Sequence, residues 1–226
     1  MEDYQIEDPV IAQKPVKTPI RLILNIVILG LFVMSFSPSV LMSWAGRYHE
    51  KGDYETALVL FNIMTWVNPR NPEVYYGRGL TYVELDKYDL ALDDLNRAIN
   101  MEPASASAYV GRCHVYNRQQ NFDLAIADCT KAIELGTNEI KVYLNRGLAY
   151  LAKEEDELAV IDLTRAVEID ANNSYAYCLL GIAYMRTNGF SEAVASFERG
   201  IKLDSNNELE WCREALTNAK QVIPTP

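Results

Sequence analysis

Residues 72–105 read PEVYYGRGLTYVELDKYDLALDDLNRAINMEPAS, and residues 106–139 read ASAYVGRCHVYNRQQNFDLAIADCTKAIELGTNE. Set one above the other, they align Tyr75 with Tyr109, Gly79 with Cys113, Tyr82 with Tyr116, Ala91 with Ala125 and Leu95 with Cys129. The 34-residue period runs outward in both directions without insertion. Units begin at 38, 72, 106, 140 and 174, and a partial unit begins at 208. With Pro38 as position 1, position 20 is Ala in every full unit (Ala57, Ala91, Ala125, Ala159, Ala193) and position 11 is Tyr (Tyr48, Tyr82, Tyr116, Tyr150, Tyr184). Position 8 is small in all five: Ala45, Gly79, Cys113, Gly147 and Gly181. Position 24 carries Phe61, Leu95, Cys129, Leu163 and Phe197. A fixed period of this length signals a stack of supersecondary units.

The spacing within a unit predicts two helices. Positions 4, 8 and 11 fall on one face of a first helix, and positions 20, 24 and 27 on one face of a second. Small residues at 8 and 20 let the two backbones approach. Polar turns such as Lys51-Gly52-Asp53 and Asp86-Lys87 join the helices, and Asn68-Pro69 and Glu102-Pro103 separate the units.

The period, the aromatic positions, the constant Ala and the closing Pro resemble the tetratricopeptide-repeat (TPR) family over residues 38 to about 221. The resemblance implies an all-α, right-handed solenoid of helical hairpins. It comprises five units (38–71, 72–105, 106–139, 140–173 and 174–207) and a C-terminal capping helix at 208–222, which turns Trp211, Cys212, Ala215 and Ala219 inward. Thr137, Ala171 and Ser205 depart from the closing Pro. Asp156 departs from the usual aromatic ahead of the second helix of unit 4, and looser junctions are expected at all four departures.

Ahead of the repeats the composition changes sharply. Residues 1–19 form a polar tail with Pro9, Pro15 and Pro19 that reads as disordered. No charged residue occurs from Leu22 to Gly46, and Leu22 to Phe36 holds eleven Leu, Ile, Val or Phe residues. At roughly −0.3 to −0.6 kcal/mol each on an insertion scale, these favour the bilayer by about 3–7 kcal/mol. A single transmembrane helix over 20–37 is therefore expected before the solenoid, in contact with the lipid bilayer. The alternatives are a buried core helix, which the basic flank and the length of the run oppose, and a cleaved signal peptide, with Ser43-Trp44-Ala45 ahead of Gly46 as the cut site. Lys14, Lys17 and Arg21 before the span, against Arg47 and Lys51 after it, lean toward repeats on the non-cytoplasmic side.

Net charge is −10, which leaves little to neutralise phosphates and argues against nucleic-acid binding. The sequence holds no Gly-rich phosphate loop, nucleophile elbow or HExxH, and its two histidines and four cysteines lack metal spacing. Neither catalysis, a metal nor a cofactor is expected. The cysteines do not read as the framework of a small secreted domain. Cys113 and Cys129, at positions 8 and 24 of unit 3, are neighbours either as two small core hydrophobes or as a disulfide, and the disulfide needs an oxidising compartment.

Three further patterns stand out. Position 7 is Arg and position 23 is Asp in units 2, 3 and 4 (Arg78/Asp94, Arg112/Asp128, Arg146/Asp162), and neither occurs in units 1 and 5. This joint appearance predicts structural ion pairs between helices or between units. Residues 56–67 of unit 1 are apolar nearly all round, so Leu58, Val59, Ile63 and Trp66 are candidates for contact with the membrane or a partner. The resemblance also implies that positions 2, 5, 9, 12 and 13 of the first helices line a concave groove. The partner-binding residues there are Tyr76, Leu80, Val83, Val110, His114, Arg118, Leu144, Leu148, Tyr175, Ile182 and Arg186, which suit an apolar helix or extended segment. Tyr76, Leu80 and Gly111 occupy the places where a clamp for chaperone C-termini would need Lys, Asn and Asn. The expected partners are other proteins, as subunits of a membrane complex that the chain serves as scaffold, accessory subunit or assembly factor.

Overall fold

The computed structural model describes residues 37–222. The polar tail and the transmembrane span expected over 20–37 lie outside the described residues, save Ser37. Among the described residues no helix is long and apolar enough to cross a membrane.

The first helices of the five units are α1 (Pro38–Glu50), α3 (Pro72–Glu84), α5 (Ala106–Arg118), α7 (Ile140–Ala152) and α9 (Ser174–Arg186). The second helices are α2 (Tyr54–Val67), α4 (Tyr88–Met101), α6 (Phe122–Glu134), α8 (Asp156–Ile169) and α10 (Phe190–Leu203), and α11 (Glu210–Val222) closes the stack. The described fold is an all-α solenoid of helical hairpins in which each hairpin packs chiefly on its neighbours in the chain.

Local chemistry sets the helix ends. Pro38 and Pro72 open their helices at the first turn, where the missing N–H costs nothing. Asp53 accepts from the Thr56 amide, Asn71 from Glu73 and Asn173 from Ala176, which satisfies donors of three N-terminal turns. Each first helix ends on a left-handed residue at position 15: Gly52, Asp86, Gln120, Glu154 and Asn188, with φ from +55° to +77°. The next amide then folds back onto the carbonyl of the position-11 tyrosine, as Asp53 N on Tyr48 O, Lys87 N on Tyr82 O and Gly189 N on Tyr184 O. This is the six-to-one closure that satisfies the last carbonyls of a helix.

Inside each hairpin, positions 8 and 24 share one volume. Gly181 is packed so closely that an added Cβ would stand 2.5 Å from the ring of Phe197. Gly147 faces Leu163 and Gly79 faces Leu95 in the same way. Unit 3 fills the space with Cys113 and Cys129 instead, joined as a disulfide with Cα atoms 5.6 Å apart. Of the two readings of this pair, the structure takes the bonded one. A second disulfide, Cys178–Cys212, ties α9 to α11, so no free cysteine remains among the described residues. The sequence reading offers the Cys113–Cys129 bond as one of two alternatives and does not offer the Cys178–Cys212 bond. Cys178 and Cys212 stand 34 residues apart, one period, at the same position of adjacent first-helix elements.

The Arg–Asp pairs form as expected and reach further than one hairpin. Arg78 grips Asp94 with Nε and Nη2 at 2.7 Å each, while Nη1 donates to Asn62 Oδ1 on α2 at 2.8 Å. Arg112 holds Asp128 and Asn96, and Arg146 holds Asp162 and Thr130, in the same geometry. Each guanidinium thus joins the second helix of its own unit to that of the preceding one. Asp94, Asp128 and Asp162 are buried, so the fork-to-carboxylate match is what makes their burial tolerable. Hydrogen bonding to the Asp partner, opposed by burial, raises each Arg above its ordinary pKa.

The apolar set of unit 1 divides. Ile63 packs, partly buried, against the cluster of Leu41, Met64 and Val74. Leu58 is half-buried, whereas Val59 is 51% and Trp66 88% exposed. At the other end, Cys212 and Ala219 are buried and Trp211 and Ala215 are partly covered, so α11 closes the last unit. Asp204 sets its approach. It accepts from the amides of Glu208 and Leu209 at 3.1 and 3.0 Å and pairs with Arg213 at 3.0 Å.

Candidate partner-binding groove

The first helices of units 2, 3 and 4 line a concave cavity of about 620 Å³. Its apolar wall is Tyr76, Leu80, Val83, Val110, Leu144 and Leu148, closed at the unit-5 end by Tyr175. His114 and Arg118 also line it. These nine of the eleven expected groove residues are therefore brought together. Ile182 and Arg186 are not among the lining residues.

Arg186 is a structural residue. Its Nε pairs with Asp156 at 2.8 Å and its Nη1 donates to the Leu151 carbonyl at 2.9 Å. The expectation of a loose junction at Asp156 is corrected by the same contact. The carboxylate that replaces the aromatic recruits Arg186 of the next unit and ties units 4 and 5 with an ion pair, without a hydrogen bond to Asp156 Oδ1. Arg118 is likewise engaged, with Nη2 3.2 Å from Asp86 and Nε donating to Tyr88 Oη at 2.9 Å. Tyr88 in turn donates to Asp86. Bonding to Tyr88 first, and to Asp86 after it, raises the pKa of Arg118, which keeps its charge at the rim.

Several lining residues were not anticipated. Asn145, at position 6, is buried and organises the floor. Its Nδ2 donates to the Lys141 carbonyl, its own carbonyl accepts from Asn117 Nδ2 at 2.7 Å, and its Oδ1 lies 3.1 Å from His114 Nδ1. The other face of Asn117, its Oδ1, is buried without a hydrogen-bond partner. A buried acceptor of this kind costs free energy until something donates to it. His49 of unit 1 reaches the cavity wall and bonds Thr81, and Glu139 contributes a carboxylate. Burial, and secondarily the charge of Glu139, pushes the Tyr76 phenol above its ordinary pKa, so it stays a neutral donor at physiological pH. Position 6 is Gly in units 2 and 3. That run of glycines hid the Asn at the same position of unit 4. Among the described residues no His, Cys, Asp or Glu group is placed to hold a metal ion.

Family models described as tetratricopeptide repeat match residues 45–112 and, one unit at a time, 140–173 and 174–207. No curated protein matches the chain in sequence. Among solved structures, MamA from Desulfovibrio magneticus RS-1 (residue 41 to the end) superposes with a TM-score of 0.64 at 19% identity, covering 76% of this chain and 97% of its own. TTC0263, a thermophilic TPR protein of Thermus thermophilus, gives 0.66 at 19% identity, covering 82% and 100%. YrrB, described as a TPR protein with an unusual peptide-binding site, gives 0.61 at 18% identity, covering 80% and 91%. At these identities the likeness is one of fold.

Proposed function

Because the chain belongs to the tetratricopeptide-repeat family, we propose that it is a non-catalytic scaffold that holds a segment of another protein in its concave groove while tethered to a membrane by residues 20–37. The observation that carries the binding role is the groove itself, with a nearly continuous apolar wall across three units. An apolar segment laid along that wall buries its side chains there. TPR domains are in general protein-binding modules, and a subunit or assembly role at a membrane complex follows from joining that module to an anchor.

Two observations support the tether and its side. Leu41 and Ala45 are fully buried in unit 1, so a signal-peptide cut after Ala45 would tear out half of α1. This favours an uncleaved span over the secreted alternative. The two disulfides among the repeats favour an oxidising compartment, and so repeats on the non-cytoplasmic side, in line with the basic residues before the span.

The test is a photo-crosslinking amino acid placed at Leu148, in the groove, and at Ile161, which is 63% exposed on α8. In native membranes the Leu148 position should give a discrete adduct that Leu144→Lys abolishes, and Ile161 should not give it. Identical adducts from both positions, or none from the groove, would reject the binding role.

A further inference from the structure

Trp66 is 88% exposed at the end of an otherwise well-packed hairpin. A large amphipathic ring is seldom left wholly in water. Helices α1 and α2 run antiparallel, with Leu41 clustered with Met64, and Ala45 with Ala57 and Phe61. From the Leu41–Met64 contact, Ser37 lies four residues back along α1 and Trp66 two residues on along α2. At ~1.5 Å per residue these are offsets of about 6 and 3 Å toward the same edge of the molecule.

That edge is where the chain arrives. The charge-free apolar run from Leu22 to Phe36 is separated by Ser37 alone from Pro38, which opens α1. The exposed Pro69 and Arg70 lie in the turn just beyond Trp66, and Arg70 has no ion pair among the described residues. Met101, at the matching end of α4, is 36% exposed. Glu73 and Glu102 are the exposed carboxylates nearby, so the edge carries no strong net charge.

We propose that this edge of units 1 and 2 rests on the lipid interface, with the Trp66 indole among the headgroups and Arg70 beside a lipid phosphate. The inference rests on the membrane tether proposed above. Indole is suited to the place, because its ring is apolar and its N–H can be solvated by headgroups. A lipid surface is preferred to a protein as the occupant because the chain itself delivers this edge to the bilayer. Tether and indole act as two contacts, which would fix the tilt of unit 1.

The full chain is reconstituted into phosphatidylcholine vesicles, with and without bromine on the upper acyl chain, as wild type and as Trp66→Phe. The exposed site makes that substitution harmless to the core. Flotation with the vesicles reports the tether. Bromolipid should quench the wild type, and Trp66→Phe should lose most of that quenching, with Trp44 and Trp211 still present. Wild-type protein that floats but shows the same quenching as Trp66→Phe, with Trp66 emission open to aqueous iodide, overturns this inference alone. A chain that does not float overturns the tether and the inference together.

Discussion

At the scale of the residue, the molecule is held by side chains that recur at one spacing. A separation of 16 residues joins Arg78 to Asp94, Arg112 to Asp128 and Arg146 to Asp162, and the same separation joins Cys113 to Cys129. One hairpin geometry therefore serves ion pairs and a covalent bond alike. The middle pair provides a direct energetic test. Asp128→Ala leaves the guanidinium of Arg112 half-buried without its anion and should cost about 3 kcal/mol. Replacing Arg112 and Asp128 together with apolar residues of similar volume should cost less than the single change. Denaturant melts of the two singles and the double, read as a cycle, measure this; a double mutant less stable than Asp128→Ala would contradict it. These pairs were legible in the sequence because Arg and Asp come and go together. The Cys113–Cys129 bond was half legible. Its positions were known to touch, but small hydrophobes and a disulfide satisfy the same volume. Arg186 was misread for a physical reason: its groove position says where the side chain starts, and only the neighbouring Asp156 says where it ends.

At the scale of the element, the helix starts at 38, 72, 106, 140 and 174 fall on the 34-residue grid, since a proline, a capping residue or a left-handed turn recurs at fixed positions. The attachment of α11 was less readable. Position 5 carries Tyr76, Val110 and Leu144 in the units that line the groove, so the repeat places Cys178 on the groove face and does not single it out. Its partner lies in an incomplete unit where the pattern thins out. The loop before α11 hangs on Asp204, whose carboxylate is held below its ordinary pKa of 3.8 by the Leu209 amide first, and also by the Glu208 amide and Arg213. A carboxylate with a depressed folded pKa contributes stability that is complete above its unfolded value and lost as pH falls through the folded one. Docking of α11 should thus be unaffected by pH between about 5 and 7 and should weaken below about 4. Asp204→Asn should abolish this acid sensitivity in the amide exchange of α11. An unchanged acid profile in that variant would count against the role given to Asp204.

At the scale of the whole molecule, a stack of this kind couples nearest neighbours and little else. Damage at one end should therefore stay there. Replacing both Cys178 and Cys212 with Ser removes a crosslink closing a 34-residue loop, for which chain entropy gives roughly 3–4 kcal/mol. Hydrogen exchange should show α11 and α10 opening more readily while α3 to α8 keep their protection. Uniform loss of protection along the chain would mean that the stack folds as a single cooperative block. The overall form was the most legible property of all, because five copies of one pattern leave little choice of architecture. Nine of the eleven expected groove residues line one cavity, and what escaped is Asn145, whose contacts with Asn117 and His114 depend on one another rather than on the repeat.

The guanidinium contacts run as an unbroken seam along the second helices of units 1 to 4, since each Arg fastens its own unit to the one before. The seam stops at unit 5, where Leu180 and Ser196 occupy the corresponding positions. Considered as a spring, the molecule is reinforced over its first four coils and is laced to the fifth on the opposite side, through Arg186. Pulled from its C-terminus, the fifth coil would hang on that lacing and on apolar packing, without the seam. A partner gripped by the middle units would then stay seated while the end of the spring gives under load.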